Sequence, residues 1–312
     1  MIEIRNVTMD FVGKGVGESG KAVRALDDVS IQIPDGCIYG FLGSNGAGKS
    51  TLMRLMCGVY QGQSGQILID GVEAWDNPEA KKNIFFVNDE TVQYADFTLK
   101  AMAAFFACYY DTFSHETFSK IVGALGLPTD RKMSTFSKGM KRQAVVAVAL
   151  ACGTKYLVMD EAFDGLDPAM RKMLKDIIVD QMLDRNATLI VSSHNVAEIN
   201  ELCDRAMLLH QGKLVFDDEV DNVRGSVCKA QILRKSARVT EEELTSRGLT
   251  VIQYSTAGSI VSAVVKGSEE SVRKILDGME TDYFELVPLT LEEVFIYELE
   301  ARGYGHEFIS EG

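Results

Sequence analysis

The sequence predicts an α/β fold in which a mostly parallel sheet meets an antiparallel β layer and a helical subdomain, with a small α+β domain at the C-terminal end. Three observations lead there. Between residues 137 and 203, helical patterns alternate with short apolar runs, the arrangement of a parallel sheet covered on both faces. Residues 2–11 instead alternate apolar and polar side chains through Ile2, Ile4, Val7, Met9 and Phe11, as a half-buried strand does. Beyond about Val220 the order becomes strand, helix, strand, strand, helix, strand, a ferredoxin-like βαββαβ pattern.

The elements follow in order along the chain. A polar, glycine-rich turn at residues 13–20 separates the first strand from a second at 29–33, which ends at Pro34-Asp35-Gly36. The apolar run Cys37-Ile38-Tyr39-Gly40-Phe41-Leu42 is a buried strand, and a helix starts near Lys49. Residues 66–69 form a strand closed by the turn Asp70-Gly71. Residues 98–126 read as helical and carry Phe105, Phe106, Tyr109, Tyr110, Phe113 and Phe118. This aromatic stripe suits a partner surface, but core packing of the helical subdomain is the expectation. Then come helix 141–151, strand 156–159, helix 168–184, strand 188–192, helix 196–203 and a hairpin over 206–216 turning at Gln211-Gly212. In the C-terminal part, strands are expected at 228–233, 250–254, 260–265 and 283–287, with helices at 240–247, 269–279 and 290–301. The expected domains are 1–220, with the helical subdomain at about 90–150, and 225–312.

Composition bounds the function. With 46% apolar and 25% charged residues, the chain is an ordinary soluble globular protein. A net charge of −13 argues against a nucleic-acid surface, which needs a clustered basic face. Six scattered cysteines without a C-x-x-C pair predict neither a disulfide framework nor a zinc site, and point to the reducing cytoplasm. No apolar run approaches the roughly 20 residues that cross a bilayer, and the N-terminal residues lack the basic and apolar regions of a signal peptide.

The stretch Gly43, Ser44, Asn45, Gly46, Ala47, Gly48, Lys49, Ser50, Thr51 lies between the buried strand and its helix. It is the G-x-x-x-x-G-K-[ST] phosphate loop in a strand–turn–helix setting. Glycines let backbone N–H groups converge on phosphate oxygens, and the helix N-terminus adds its dipole. Lys49 is placed to reach the β- and γ-phosphates and Ser50 to meet Mg²⁺. The fold is therefore of the P-loop NTPase type, and the expected ligand is a nucleoside triphosphate.

Downstream motifs narrow that class. Phe136-Ser137-Lys138-Gly139-Met140-Lys141-Arg142-Gln143 precedes a helix, and Tyr156-Leu157-Val158-Met159-Asp160-Glu161 is an apolar strand ending in two carboxylates. Ala162-Phe163-Asp164-Gly165-Leu166-Asp167-Pro168 and Leu189-Ile190-Val191-Ser192-Ser193-His194 follow. In type, order and spacing, residues 1–220 resemble the ATP-binding subunit of ABC transporters. The resemblance implies ATP and Mg²⁺ as cofactors. It gives Asp160 the metal, through oxygen coordination suited to a hard cation, and Glu161 the role of general base toward the attacking water. His194 resembles the family's switch histidine at the γ-phosphate, which with Lys49 and Glu161 completes the catalytic set. Ser137 and Gly139 resemble the signature motif, which contacts the nucleotide of the other protomer, so that each site needs two chains. Lys138 and Met140 depart there from the usual glycine and glutamine. Phe11, with Val23 as neighbour, matches the aromatic that stacks on adenine, and Asp89 takes the place of a metal-side glutamine. Asp167 resembles the aspartate that works across the dimer interface, and Leu289–Phe295 resembles a segment of exporter subunits.

The implied protein is an ATPase subunit, a homo- or heterodimer working beneath separate transmembrane permease subunits on the inner face of the cell membrane, with export favoured and no nucleic acid involved. Two other classes stand beside it. A ribosome- or DNA-acting ATPase of the family would carry a second phosphate loop or long coiled coils, which this sequence lacks. A nucleotide sensor without turnover would not need the Glu161 and His194 set.

Overall fold

The computed structural model describes residues 1–12, 22–88 and 94–301 of the chain. The expected turn at 13–20 and the candidate Asp89 lie outside the described residues. The described chain divides into two compact units, one of residues 1–195 and 202–217 and one of 196–201 and 218 onward.

In the first unit, β1 (Ile2–Val12) and β2 (Ala22–Ile33) pair antiparallel and continue through β4 (Ser64–Ile69) to β5 (Val72–Glu73), in the order β2-β1-β4-β5. The second strand begins earlier than the expected 29–33, because Leu26, Arg24 and Val23 pair with Met9, Asp10 and Phe11 of β1. A second sheet holds β3 (Ile38–Leu42), β6 (Ile84–Val87), β7 (Tyr156–Met159), β8 (Thr188–Ser193), β9 (Arg205–His210) and β10 (Lys213–Glu219), in the order β10-β9-β3-β8-β7-β6. β3 lies at its centre, parallel to both β8 and β9. All five residues of β3 are buried, as a parallel strand covered on both faces must be.

Helix α1 (Lys49–Met56) sits between the two sheets. Its Leu52, Met53, Leu55 and Met56 share one core with Ile2, Ile4, Ile31 and Ile33 of the antiparallel layer and with Phe41, Val158 and Ile190 of the parallel sheet. Around this core run α2 (Pro78–Lys82), α3 (Leu99–Ala107), α4 (His115–Ala124), α5 (Lys138–Cys152) and α6 (Pro168–Arg185). The single helical stretch expected over 98–126 is broken between α3 and α4. There Ser114 N–H donates to Ala151 O (2.8 Å) and Thr112 Oγ1 to Cys152 O (2.6 Å), so the end of α5 holds the turn, and Ser114 caps α4.

The aromatic stripe is only partly core. Phe118 is buried, whereas Phe105 and Tyr109 are 39% and 63% exposed. Phe106 and Tyr110 instead pack on Phe85 of β6 and line, with Phe86, Tyr94 and Arg54, a cavity of about 510 Å³. The expectation of core packing fails for Phe105 and Tyr109, which stay exposed, and for Phe106 and Tyr110, which line that cavity.

In the second unit, α7 (Val196–Leu202, its last residue assigned to the first unit) and α8 (Val220–Arg224) precede β11 (Val227–Leu233), α9 (Glu241–Ser246), β12 (Thr250–Ala257), β13 (Ile260–Lys266), α10 (Glu269–Asp277), β14 (Tyr283–Val287) and α11 (Leu291–Ala301). The strand order β12-β13-β11-β14, with all three neighbouring pairs antiparallel, is that of a ferredoxin-like α+β sheet. Ala230, Ile232, Ala263 and Val265 from one face of the sheet form its core with Leu244, Val272 and Leu276 of the helices.

Candidate functional site

The phosphate loop leaves β3 and turns into α1 at the end of the parallel sheet. Its glycines are required by space as well as by torsion. Gly43, Gly46 and Gly48 have φ of 155°, 79° and 109°. A Cβ on Gly43 would lie 2.4 Å from Leu209 O of β9, and one on Gly48 2.5 Å from Ala25 O of β2. Only glycine lets the loop pass between those two carbonyls. α1 begins at Gly48 with no side-chain cap, which leaves its first N–H groups for an anion. Asn45 and Gly46 are exposed, Ser44, Ser50 and Thr51 half-buried, and Ala47 and Lys49 buried. The loop is braced from behind: Gly212, in the turn between β9 and β10, donates to Ala47 O (3.0 Å) and accepts from Asp27 N–H (2.9 Å).

Lys49 is 4% exposed, and its Nζ donates to Gly43 O (2.6 Å) and Ser44 O (3.1 Å). Burial lowers its pKa, against the pull of Glu161, Asp160 and Asp164. Those carboxylates come from the end of β7. Asp160 is buried, and its N–H donates to Val87 O at 2.8 Å, so β6 fixes its backbone. Ser192 of β8 stands beside it, fully buried. Its Oγ donates to Asp160 Oδ1 (2.6 Å) and accepts from the Glu161 N–H (2.9 Å). Glu161 adopts φ +46°, the left-handed region that costs a non-glycine residue about 1–3 kcal/mol and clusters at functional sites. Its side chain turns toward His194 at the end of β8, with Glu161 Oε1 3.9 Å from His194 Nδ1.

The remaining candidates are dispersed. Ser137 caps α5, its Oγ accepting from Met140 N–H (3.2 Å), and Gly139 lies against Leu166. Asp167 caps α6 in the same way through Met170 N–H (3.0 Å). Phe11 sits opposite Val23 and edge-on to Tyr60 (5.9 Å, 74°). Phe11 and Val23 are 39% and 63% exposed, so the ring is not a core residue.

Five residues at or beside the site were given no role by the sequence reading. Ser192 and Ser193 stand at the end of an apolar strand, and that change of polarity just before His194 was the available signal. Gly212 marked a hairpin turn but gave no hint of the loop beneath it. Asp164 reaches Glu161 through a turn in which its N–H donates to Glu161 O (3.3 Å). Arg142 is 4% exposed and donates to Asn88 O (2.7 Å), tying α5 to the segment after β6.

The donor chemistry fits a magnesium nucleotide. Oxygen donors from Ser50 and Asp160 suit a hard cation, and the open N-terminus of α1 with the Lys49 ammonium suits phosphate.

Comparison with known proteins agrees with this chemistry. Residues 26–164 match the family model described as ABC transporter. The chain is 28% identical over 296 residues to the ABC transporter ATP-binding protein YtrB of Bacillus subtilis (strain 168), covering 95% of this chain and 97% of that one. It is 32% identical over 204 residues to the bacitracin transport ATP-binding protein BcrA of Bacillus licheniformis, over 64% of this chain and 67% of that one. Among solved structures, a dimeric ATP-binding cassette in a post-hydrolysis state with ADP and Pi superposes with a TM-score of 0.61 at 20% identity, over 70% of this chain and 98% of the other.

Proposed function

Because the chain belongs to the ABC transporter family, as one of its ATP-binding and ATP-hydrolysing subunits, we propose that the phosphate loop and the ends of β7 and β8 form one half of a composite ATPase site. The other half is the start of α5 of a second protomer, identical or paralogous. The observation that carries this reading is that Lys49 lies within the field of Asp160 and Glu161 and that His194 faces Glu161, with Ser192 holding the Asp160 carboxylate and the Glu161 backbone.

Each residue takes a role its chemistry suits. The loop from Gly43 to Thr51 binds the phosphates through backbone N–H groups, and Lys49 neutralises charge on the β- and γ-phosphates. Ser50 and Asp160 would hold Mg²⁺, with Asp89 a further oxygen donor on the same reading, and the ion would supply charge stabilisation to the transferring phosphoryl. Glu161 orients and deprotonates water, and His194 donates toward the γ-phosphate oxygens as charge builds there. Ser137 and Gly139, at the start of α5, contact the partner's nucleotide. Phe11 presents an exposed ring for adenine.

The subunit works at the inner face of the membrane beneath separate permease subunits, and we assign export. Support for export comes from the likeness of Leu289–Phe295 to exporter subunits. Among the described residues no helix is long and apolar enough to cross a membrane, so the path for substrate belongs to a partner. The aromatic cavity lined by Phe106 and Tyr110, together with the exposed Phe105 and Tyr109 of the same aromatic stripe, is the surface we give to that partner.

One purification tests the whole reading. The full chain carrying Glu161→Gln, isolated in mild detergent from its own cells, should bind ATP with wild-type affinity, lose nearly all turnover, and co-elute with a polytopic membrane protein. Wild-type turnover removes Glu161 from the base role. Recovery with ribosomal or nucleoid proteins removes the transport reading.

A further inference from the structure

The Asp164 carboxylate has no part in the roles above, yet it stands with two residues that do. Glu161, Asp164 and His194 bring one ligand atom each to within 4.8 Å of one another, on an open, solvent-reached flank of the site. They converge because two loops end side by side. The turn after β7 folds Asp164 back onto Glu161 O, and β8, two strands from β6 and adjacent to β7, delivers His194.

We propose that Glu161, Asp164 and His194 form a binding site for a borderline divalent transition-metal ion of the zinc class, and that metal held there stops hydrolysis while nucleotide stays bound. The donor set selects the ion. An imidazole nitrogen with two carboxylates suits Zn²⁺, Co²⁺, Ni²⁺ or Cu²⁺, whereas Mg²⁺ prefers oxygen and gives up its water reluctantly. Three protein ligands leave one position open, as in zinc sites that also hold water or substrate. Ligand bonds of about 2.0–2.2 Å in a tetrahedral site set ligand atoms about 3.3–3.5 Å apart. Side-chain rotations moving each atom by about 1 Å close the present spacing without backbone change. The ion would occupy the carboxylate that activates water and the imidazole beside it, and leave the phosphate loop untouched. The inhibitory half of the proposal rests on the role given to Glu161; the metal site does not.

The test uses the full chain with Cys108→Ser, which removes an exposed thiol. Zn²⁺ alone is titrated by calorimetry, without nucleotide, into this protein and into its Asp164→Asn and His194→Asn variants. One site in the parent, at least tenfold weaker in each variant, is expected. Identical isotherms in all three overturn the site. In a zinc-buffered Mg²⁺-ATPase assay, the parent should slow as the calorimetric site fills. Asp164→Asn, compared with its own zinc-free rate, should ignore zinc at the same concentrations. Unchanged hydrolysis by the zinc-loaded parent overturns the inhibitory half. If Glu161→Gln turns over ATP normally, the catalytic reading fails by itself, and the calorimetry still decides the metal site.

Discussion

One hydroxyl, Ser192 Oγ, stands between the Asp160 carboxylate and the backbone of Glu161. It donates to Asp160 at 2.6 Å and accepts from Glu161 N–H at 2.9 Å, with no solvent to replace it. Ser192→Ala should therefore leave a buried carboxylate oxygen and a backbone donor without this partner. The expected cost is about 1–3 kcal/mol in stability and about 10–100-fold in turnover, as for other residues that orient ligating groups. Thermal unfolding and steady-state kinetics measure the two, and ATP affinity should stay near wild type. At this scale the sequence was informative where chemistry permits few alternatives. The roles proposed for Lys49 and the Asp160-Glu161 pair follow from residue type and spacing, which the sequence carries directly. Ser192 and Asp164 were silent because strand pairing and a turn decide what they meet. Ser192 pairs with Phe41 across the sheet, a register that no local pattern encodes.

Helix ends explain why most elements could be read within a residue or two. Thr98, Ser114, Ser137, Asp167, Thr240 and Ser268 each cap a helix by accepting from the N–H three residues on. At α11 the cap is reciprocal. Thr290 N–H and Oγ1 donate to Glu293 Oε2 (2.8 and 2.9 Å), and Glu293 N–H donates to Thr290 Oγ1 (3.2 Å). This capping box gives Thr290 and Glu293, within the exporter-like segment, a structural task of their own. Thr290→Ala should cost about 1 kcal/mol, read as about fivefold faster amide exchange in α11, with ATP hydrolysis unchanged. β5, α2, β6 and α8 escaped. β6 is only four residues long and carries no period of its own. The break between α3 and α4 is imposed by contacts with the distant end of α5, which sequence periodicity does not report.

Across the first unit, a charged cluster pins the antiparallel layer to the parallel sheet. Tyr156, opening β7, donates to Asp70 (2.6 Å) and Asp35 (2.8 Å), which follow β4 and β2. Lys155 reaches both carboxylates, at 2.6 and 2.9 Å, and the Met1 amine joins them. Burial works against the Asp70 charge, but hydrogen bonds from Lys155, the Met1 amine and Tyr156 outweigh it and pull the pKa from 3.8 to about 2. A carboxylate depressed on folding stabilises above its unfolded pKa and loses that contribution as pH falls through the folded value. The wild type should thus shed stability between about pH 4 and pH 2, and Asp70→Asn should be weaker at neutral pH with a flatter acid slope, measured by denaturant midpoints across that range. Helix α5 has a consequence of another kind. At about 1.5 Å per residue it is a rod roughly 22 Å long. Ser137 stands at one end, Arg142 clamps Asn88 at the mouth of the aromatic cavity, and the carbonyls of Ala151 and Cys152 anchor the far end. Such a rod behaves as a lever with its fulcrum at the anchored end, so a push at the cavity becomes a larger swing of Ser137.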